Sequence, residues 1–274
     1  MTSSHVTPPP PRIIIAACCY ADATRAMPMA AGLARWVGTD LHGILVEQDE
    51  ALTTVGMFSA RLITSTGAQV AAPTVVQMRR SVASDARTFQ AELARLSRAN
   101  QRGWTFEHLQ GDLMARMRAA VEQADILFVG HQGFYRHPGA VILIHGSDRA
   151  QPRAFVIATK LARDLTAPLL ICATPTDPNQ RHRVAAELEI MLQDADIPGS
   201  AAHVFASPAE LLQRVNRVSA VAVVVDTQAS FFQSDVDMGH LLDVARCPLV
   251  IVNSGDAPLP KARPALAPDV PETA

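Results

Sequence analysis

Small residues that could bind a phosphate group follow a short apolar run near the middle of the chain. Gly130 and Gly133 come directly after DILFV, and Gly139, Gly146 and Ser147 follow shortly afterwards. Residues this small let backbone N–H groups approach and bind phosphate oxygens. Glycine also lets a strand turn sharply into a loop, and that interpretation is the preferred one. The sequence therefore predicts at most a residual nucleotide or anion site.

Three histidines near the same turn, His131, His137 and His145, are candidates for a metal or phosphate site, since imidazole serves both roles. No cysteine or carboxylate stands at ligand spacing from them, so no metal site is predicted. Gly146 and Ser147 do not form the G-x-S-x-G turn of an esterase, and spacing assigns Ser147 no acid or base. With no catalytic motif found, we expect the protein not to be an enzyme.

The four cysteines lie in or beside apolar runs and show no C-x-x-C spacing. Cys18 and Cys19 end the first of these runs and could form a redox sensor. Adjacent residues of a strand point to opposite faces, however, and make a poor disulfide. We therefore interpret Cys18, Cys19, Cys172 and Cys247 as reduced, buried packing residues.

Composition and charge exclude several classes of function. The chain has 24 Lys plus Arg, 26 Asp plus Glu and no long basic run, so nucleic acid is not an expected partner. Its apolar stretches are far shorter than the ~20 residues that cross a bilayer, so no membrane span is expected. Residues 1–11 lack the features of a signal peptide and, with residues 255–274, are predicted to be disordered tails of a cytoplasmic protein.

Short Val/Ile/Leu runs alternate with segments whose apolar residues recur every three and four positions. The runs are typical of parallel strands buried on both faces, and the spacing is typical of amphipathic helices. The predicted strands are residues 12–17, 41–46, 104–109, 125–129, 141–144, 168–172, 201–205, 221–225 and 248–252. The alternation predicts an α/β fold with open parallel sheets.

The helix signals are strong in residues 82–96 and weak in residues 47–77. Val82, Ala86, Phe89, Leu93 and Leu96 form one stripe of a long helix. In contrast, the segment of residues 47–77 is ambiguous, and the spacing of its residues favours a helix only weakly (Leu52, Val55, Phe58 and Leu62). A third signal, the sequence SPAE at residues 207–210, is typical of a capped helix start.

The order of elements repeats. MAAGLARWVGTDLHGILVE, from Met29, aligns with VIATKLARDLTAPLLICAT, from Val156, which indicates an internal duplication into domains of residues 12–139 and 140–254. Only ten residues separate the fourth strand from the next one, fewer than a parallel crossover needs. We therefore expect the first half to lack its fourth helix and fifth strand, with VILI, from Val141, serving the second half directly.

This order of elements resembles the universal stress protein family over most of residues 12–254. The specific segments are FEHLQGDLMARMRAAVEQADILFVGHQG, from Phe106, VILIHGSDRAQPRA, from Val141, and MGHLLDVARCPLVIVN, from Met238. The resemblance implies two tandem, Rossmann-like halves, the first truncated after its fourth strand. It also implies a protein of the stress response.

In the nucleotide-binding members of that family, Gly-x-x-Gly follows the fourth strand and Gly-Ser or Gly-Thr comes nine residues later. Gly130 and Gly133 match the first two glycines, but Leu143 stands nine residues further and Gly139 comes too early. His145 occupies the acidic position before Gly146 and Ser147, and the segment DTQASFFQSD, from Asp226, has no glycine. The resemblance thus implies degenerate loops.

From these features we expect a non-enzymatic binding or regulatory protein whose nucleotide affinity is weakened or lost. One alternative is an adenine-nucleotide (ATP) binding protein that uses the first-half glycine loop. Another is a thiol redox sensor that uses Cys18 and Cys19. A sheet edge left open by the missing strand would favour a homodimer, and other protein partners are possible.

Overall fold

Apolar runs fold as strands here because helices cover both faces of the sheet that they form. The structure is a computed structural model that describes residues 12–48, 61–63, 69–71, 74–130, 139–145, 152–175 and 177–253. The strands within these ranges are β1 (Ile13–Ala17), β2 (Leu41–Glu47), β3 (Arg61–Ile63), β4 (Gln69–Ala71), β5 (Trp104–Gln110), β6 (Ile126–Val129), β7 (Ala140–His145), β8 (Leu169–Ala173), β9 (Ala201–Val204), β10 (Ala220–Asp226) and β11 (Leu249–Val252).

Nine of these described strands form one sheet in the order β5-β2-β1-β6-β11-β10-β7-β8-β9, and β3 pairs only with β4. Neighbouring strands of the large sheet are parallel except β6 and β11, which are antiparallel with Leu249 opposite Val129 and Val252 opposite Ile126. The four strands of the first half therefore run opposite to the five of the second. The carboxyl ends of the two sets of strands therefore lie at opposite ends of the sheet along the strand direction.

The predicted α/β fold class, with a first half that ends after its fourth strand, is confirmed. Across the sheet, the strands of the first half occur in the order third, second, first, fourth. β11, the fifth strand of the second half, lies beside β6, the fourth strand of the first half. The expected open edge at β6 is therefore wrong, because β11 covers it. The free edges of the described sheet are β5 and β9.

Helices pack on both faces and enclose two apolar cores. They are α1 (Tyr20–Val37), α2 (Val75–Ala99), α3 (Leu113–Gln123), α4 (Pro152–Asp164), α5 (Arg181–Ala195), α6 (Pro208–Arg217), α7 (Ser230–Gln233) and α8 (Asp235–Ala245), with a 3-10 turn at Pro178–Gln180. One core takes residues from α1, α2, α4 and α5, and the other from α3, α6, α7 and α8. Each core includes strand residues of both halves, so packing as well as pairing unites them.

A hydrogen-bonded cluster also joins the halves at one end of the β6–β11 pair. The backbone N–H of Arg12 donates to Asp125 Oδ2 at 2.9 Å, and the N–H of Asn253 donates to the Asp125 carbonyl at 2.8 Å. Arg153, only 8% exposed, places Nη1 3.3 Å from Asp125 Oδ1 and 2.9 Å from the Asn253 carbonyl. A buried cation is thus neutralised between β6, β11 and α4.

On the other face of the sheet, Arg118 of α3 makes a similar connection. Its guanidinium pairs with Asp235, donates to the Phe232 carbonyl at 3.2 Å and lies 5.2 Å from the centre of the Phe232 ring. Charge, hydrogen bonding and cation–π attraction therefore link α3 of the first half to α7 and α8 of the second.

The structure departs from the sequence predictions in two local details. Leu62 was assigned to an ambiguous helix but lies in β3, while Leu52, Val55 and Phe58 fall outside the described residues. The short helix α7 was not predicted. None of the described helices is both long and apolar enough to cross a bilayer.

Candidate functional site

The sheet order creates a crevice at the carboxyl ends of β1 and β6. From β1 the chain passes through α1 to β2 on one side, whereas β6 lies on the other side and is reached through α3. Ligands of open α/β sheets bind at such points, because the connections diverge there and leave a gap. We call the gap between Cys18, Cys19 and Gly130 the first-half crevice.

Gly130 occupies this crevice for reasons of packing. Its N–H donates to the Ala16 carbonyl at 2.8 Å, which extends the pairing of β6 with β1. A Cβ atom at this position would lie 2.7 Å from the Asp22 carbonyl oxygen and 3.0 Å from the Ala23 nitrogen. Gly130 therefore lets the first turn of α1 approach the end of β6 closely, and its N–H is not available to a phosphate.

Gly139 lies in different surroundings. It directly precedes β7, and an added Cβ there would meet the Ser219 carbonyl oxygen at 2.5 Å. Since β11 and β10 separate β6 from β7, three strand spacings of ~4.8 Å place Gly139 roughly 14 Å from Gly130. The structure therefore does not bring these two glycines together in one phosphate loop.

His145 ends β7. It lies at the end of the sheet, along the strand direction, that is opposite to Gly130. Burial lowers its pKa, and the nearby Glu187 carboxylate offsets part of this effect. The other predicted site residues, Gly133, Gly146 and Ser147, lie outside the described residues, as do His131 and His137. Within the described ranges, no three His, Cys, Asp or Glu side chains are grouped as metal ligands would be.

Carboxylates that the sequence analysis did not consider surround the first-half crevice. Burial, followed by the charges of Asp22, Cys19 and Asp112, raises the pKa of the Cys18 thiol to about 12. Burial is also the main cause of the raised pKa of Cys19. The backbone N–H of Asp22 lowers this pKa by hydrogen bonding, whereas the side chain of Asp22 and the charge of Asp85 raise it. The same negative charges that disfavour a thiolate disfavour a phosphate.

Helix-start chemistry could have revealed two of these carboxylates. Asp22 lies in the first turn of α1, and Asp112 caps α3 by accepting a hydrogen bond from the Ala115 N–H at 2.8 Å. Acidic residues are favoured at helix starts, and a helix that follows a parallel strand begins at the carboxyl edge of the sheet. The positions of Asp22 and Asp112 at helix starts therefore predict that both side chains lie near the crevice.

In the second half, the turn after β10 is closed by its own hydrogen bonds. The N–H of Thr227 donates to the Val252 carbonyl at 3.0 Å, that of Gln228 to Asp226 Oδ1 at 2.7 Å and that of Ala229 to the Asp226 carbonyl at 3.0 Å. Phe231 and Phe232 of α7 follow and are 1% and 6% exposed. The N–H groups that could cradle a phosphate are engaged, and aromatic side chains fill the core beneath them.

Comparison with known proteins gives likenesses of structure only. No family model and no curated protein sequence matches the chain. A universal stress protein from Archaeoglobus fulgidus DSM 4304 is 10% identical with a TM-score of 0.44, over 89% of this chain and 98% of that one. One from Pseudomonas aeruginosa UCBPP-PA14 is 12% identical with a TM-score of 0.48, over 89% and 93%.

A third solved structure is the universal stress protein from Archaeoglobus fulgidus in complex with dAMP. It is 11% identical with a TM-score of 0.34, and it covers 42% of this chain and 97% of its own. Each of these three solved structures is described as a universal stress protein, the family that the sequence resembles. At such low identities and TM-scores the likeness assigns no role to any residue of this chain.

The packing role of Gly130 can be tested by substitution. Gly130→Ala should lower the free energy of unfolding by about 1–3 kcal/mol, because the new Cβ overlaps backbone atoms of Asp22 and Ala23. The control, Gly32→Ala within α1, meets no atom within 4 Å and should raise it by about 0.5–1 kcal/mol. Urea unfolding followed by circular dichroism measures both. A Gly130→Ala variant as stable as the unsubstituted protein would show that the approach of α1 does not require this glycine.

The thiol environment predicts unreactive cysteines. With its pKa raised to about 12, Cys18 should react with iodoacetamide at pH 7.5 more than about a hundredfold slower than a free cysteine, because the thiolate is the nucleophile. Mass spectrometry of the native protein measures the rate at each cysteine, and protein unfolded in urea provides the control in which all four react. Rapid, selective modification of Cys18 or Cys19 would instead favour the redox-sensor hypothesis.

Proposed function

We propose that the protein is a cytoplasmic, non-enzymatic binding or regulatory protein of the universal stress protein type, with adenine-nucleotide binding at its glycine turn weakened or lost. The hydrogen bonding of the described residues that directly follow the two fourth strands supports this proposal. Gly130 in the first half and Thr227, Gln228 and Ala229 in the second donate their N–H groups to acceptors within the protein. A phosphate-binding turn needs such groups free.

The electrostatics of the first-half crevice support the same proposal. Asp22, Asp85 and Asp112 act on the thiols at the end of β1, as the raised pKa values of Cys18 and Cys19 indicate. A polyphosphate entering the crevice would meet this charge in a partly desolvated setting, where repulsion is stronger than in water. Binding would then require a counter-ion such as Mg²⁺.

Self-association is part of the proposal. With β6 covered by β11, the strands at the ends of the sheet, β5 and β9, are the edges with which a second copy could pair. The side chains of β5 are half-buried or exposed along its whole length, in contrast to the fully buried β1. Because β9 is likewise half-buried or exposed along its length, we propose that a homodimer contact would involve β5 or β9 rather than the junction of the halves.

A thermal-shift titration with ATP, ADP and AMP, each with magnesium and against magnesium alone, tests the nucleotide proposal. A ligand at about 100 times its Kd stabilises a native state by about 2.7 kcal/mol, so a titration to millimolar nucleotide gives a shift of this size for a Kd of about 10 μM. We expect no saturable shift up to millimolar nucleotide. A saturable shift would contradict the proposal and favour the alternative, an ATP-binding protein that uses the glycine turn.

Charge substitutions separate the two causes of weak binding. Asp22→Asn combined with Asp112→Asn removes two charges from the crevice, and Asn caps a helix as well as Asp does. Glu122→Gln combined with Asp194→Asn removes two charges from exposed helix positions as a control. A nucleotide shift that appears only in the first variant identifies repulsion as the cause. The absence of a shift in either variant rules out repulsion as the sole cause and is the result expected if engaged N–H groups prevent binding.

A further inference from the structure

The long helix α2 extends past the strands on which it packs. Its 25 residues span about 37 Å at 1.5 Å per residue, whereas the seven residues of β5 span about 23 Å. Phe89 and Leu93 in its middle are fully buried, but Val82 and Ala86, nearer its start, are half-buried. The first turns of α2 therefore overhang the carboxyl ends of β2 and β5.

An open pocket of about 490 Å³ lies beneath this overhang. Glu47, Phe106, His108 and Gln110 line it from the strands, and α2 contributes one face of residues spaced by three and four (Arg79, Val82, Ala83, Ala86, Arg87 and Gln90). The volume falls within the range of sites for small organic molecules. This pocket, which we call the α2 pocket, is lined by none of the residues of the first-half crevice.

The lining combines an apolar floor with a cationic rim. Val82, Ala86 and Phe106 form the floor, and the Phe106 ring is fixed by edge-on contact with Phe89, with the ring centres 5.5 Å apart. Arg79 and Arg87 stand on the helix above it. Both are exposed, and neither has an ion-pair partner among the described residues. A guanidinium without a partner beside an apolar surface is suited to bind an organic anion.

Glu47 gives the pocket a second kind of recognition. Its side chain is 9% exposed and its Oε2 lies 3.2 Å from His108 Nε2, while Oε1 has no hydrogen-bond partner among the described residues. A carboxylate oxygen of this kind in the lining of an open pocket can accept a hydrogen bond from a donor. A ligand hydroxyl or amino group would supply that donor.

We propose that the α2 pocket binds an organic anion in which an apolar ring is joined to a carboxylate, sulfonate or phosphate group. The ring lies on Val82, Ala86 and Phe106, and the anionic group pairs with Arg79 or Arg87. Glu47 selects molecules of this class that also carry a hydroxyl or amino donor. The proposal does not rest on nucleotide binding at the glycine turn, because the two sites share no lining residue.

Fluorescence titration with 8-anilinonaphthalene-1-sulfonate tests this proposal, since the probe combines aromatic rings with an anionic group. We expect saturable binding of one molecule per chain, and weaker binding of N-phenyl-1-naphthylamine, which has the same rings without the sulfonate. Arg79→Gln combined with Arg87→Gln should raise the Kd of the sulfonate at least about tenfold, because a charge-assisted contact is lost. The same double variant should leave the Kd of the neutral probe unchanged.

Two further variants make the test specific. Arg80→Gln combined with Arg98→Gln removes two charges from exposed positions of α2 that do not line the pocket, and it should leave the sulfonate Kd unchanged. Ala83→Trp fills the pocket from an exposed helix position and should abolish binding of both probes. Circular dichroism checks that each variant is folded.

The proposal is overturned if sulfonate binding does not saturate, if it survives both Arg79→Gln with Arg87→Gln and Ala83→Trp, or if the Arg80→Gln control loses it equally. An ATP-induced thermal shift that persists in the Arg79→Gln with Arg87→Gln variant would contradict the proposed loss of nucleotide binding. It would leave the α2 pocket unaffected. Failure of one proposal is thereby distinguishable from failure of the other.

Discussion

The antiparallel pairing of β6 with β11 is the interaction on which the rest of the structure depends. A first half with only four strands would expose the apolar edge of β6, whose residues are fully buried in the structure. The last strand of the second half covers that edge while keeping its parallel partner β10. One strand thus completes both halves, and the Asp125–Arg153–Asn253 cluster closes the junction with a neutralised buried charge.

This shared strand also determines where ligands could bind. Because the strands of the two halves run in opposite directions, their carboxyl ends lie at opposite ends of the sheet, and the residues that follow β6 and β10 are not adjacent. The first turn of α1 closely approaches Gly130, and α7 with its buried Phe231 and Phe232 follows β10. The overhang of α2 forms a separate pocket, since a 25-residue helix packs on strands of seven residues. This pocket lies beside α2 and is lined by residues other than Cys18, Cys19 and Gly130.

Strands and helices could be predicted because their signals are local. Runs such as IIIAA and AVILIH are buried along their length, and the Val82–Leu96 stripe lies within the helix predicted for it. The short connection after β6 correctly indicated a missing strand, but the partner of β11 could not be predicted. Pairing depends on which edge is free in three dimensions, and no local signal encodes that. For the same reason the approach of Asp85 to the thiols at the end of β1, and the convergence of Glu47 with Arg79, required the folded chain.

The most direct test of this account is a disulfide between β6 and β11. Leu127 and Ile251 are opposite each other in the antiparallel register, and opposed residues of such pairs have Cα separations within the range that a disulfide tolerates. With Cys introduced at both positions, the account predicts a 127–251 disulfide on oxidation, in a chain that remains folded. Cys at 127 and 142 should remain unpaired, since two strands separate β6 from β7. A 127–142 disulfide without a 127–251 disulfide would contradict the shared strand.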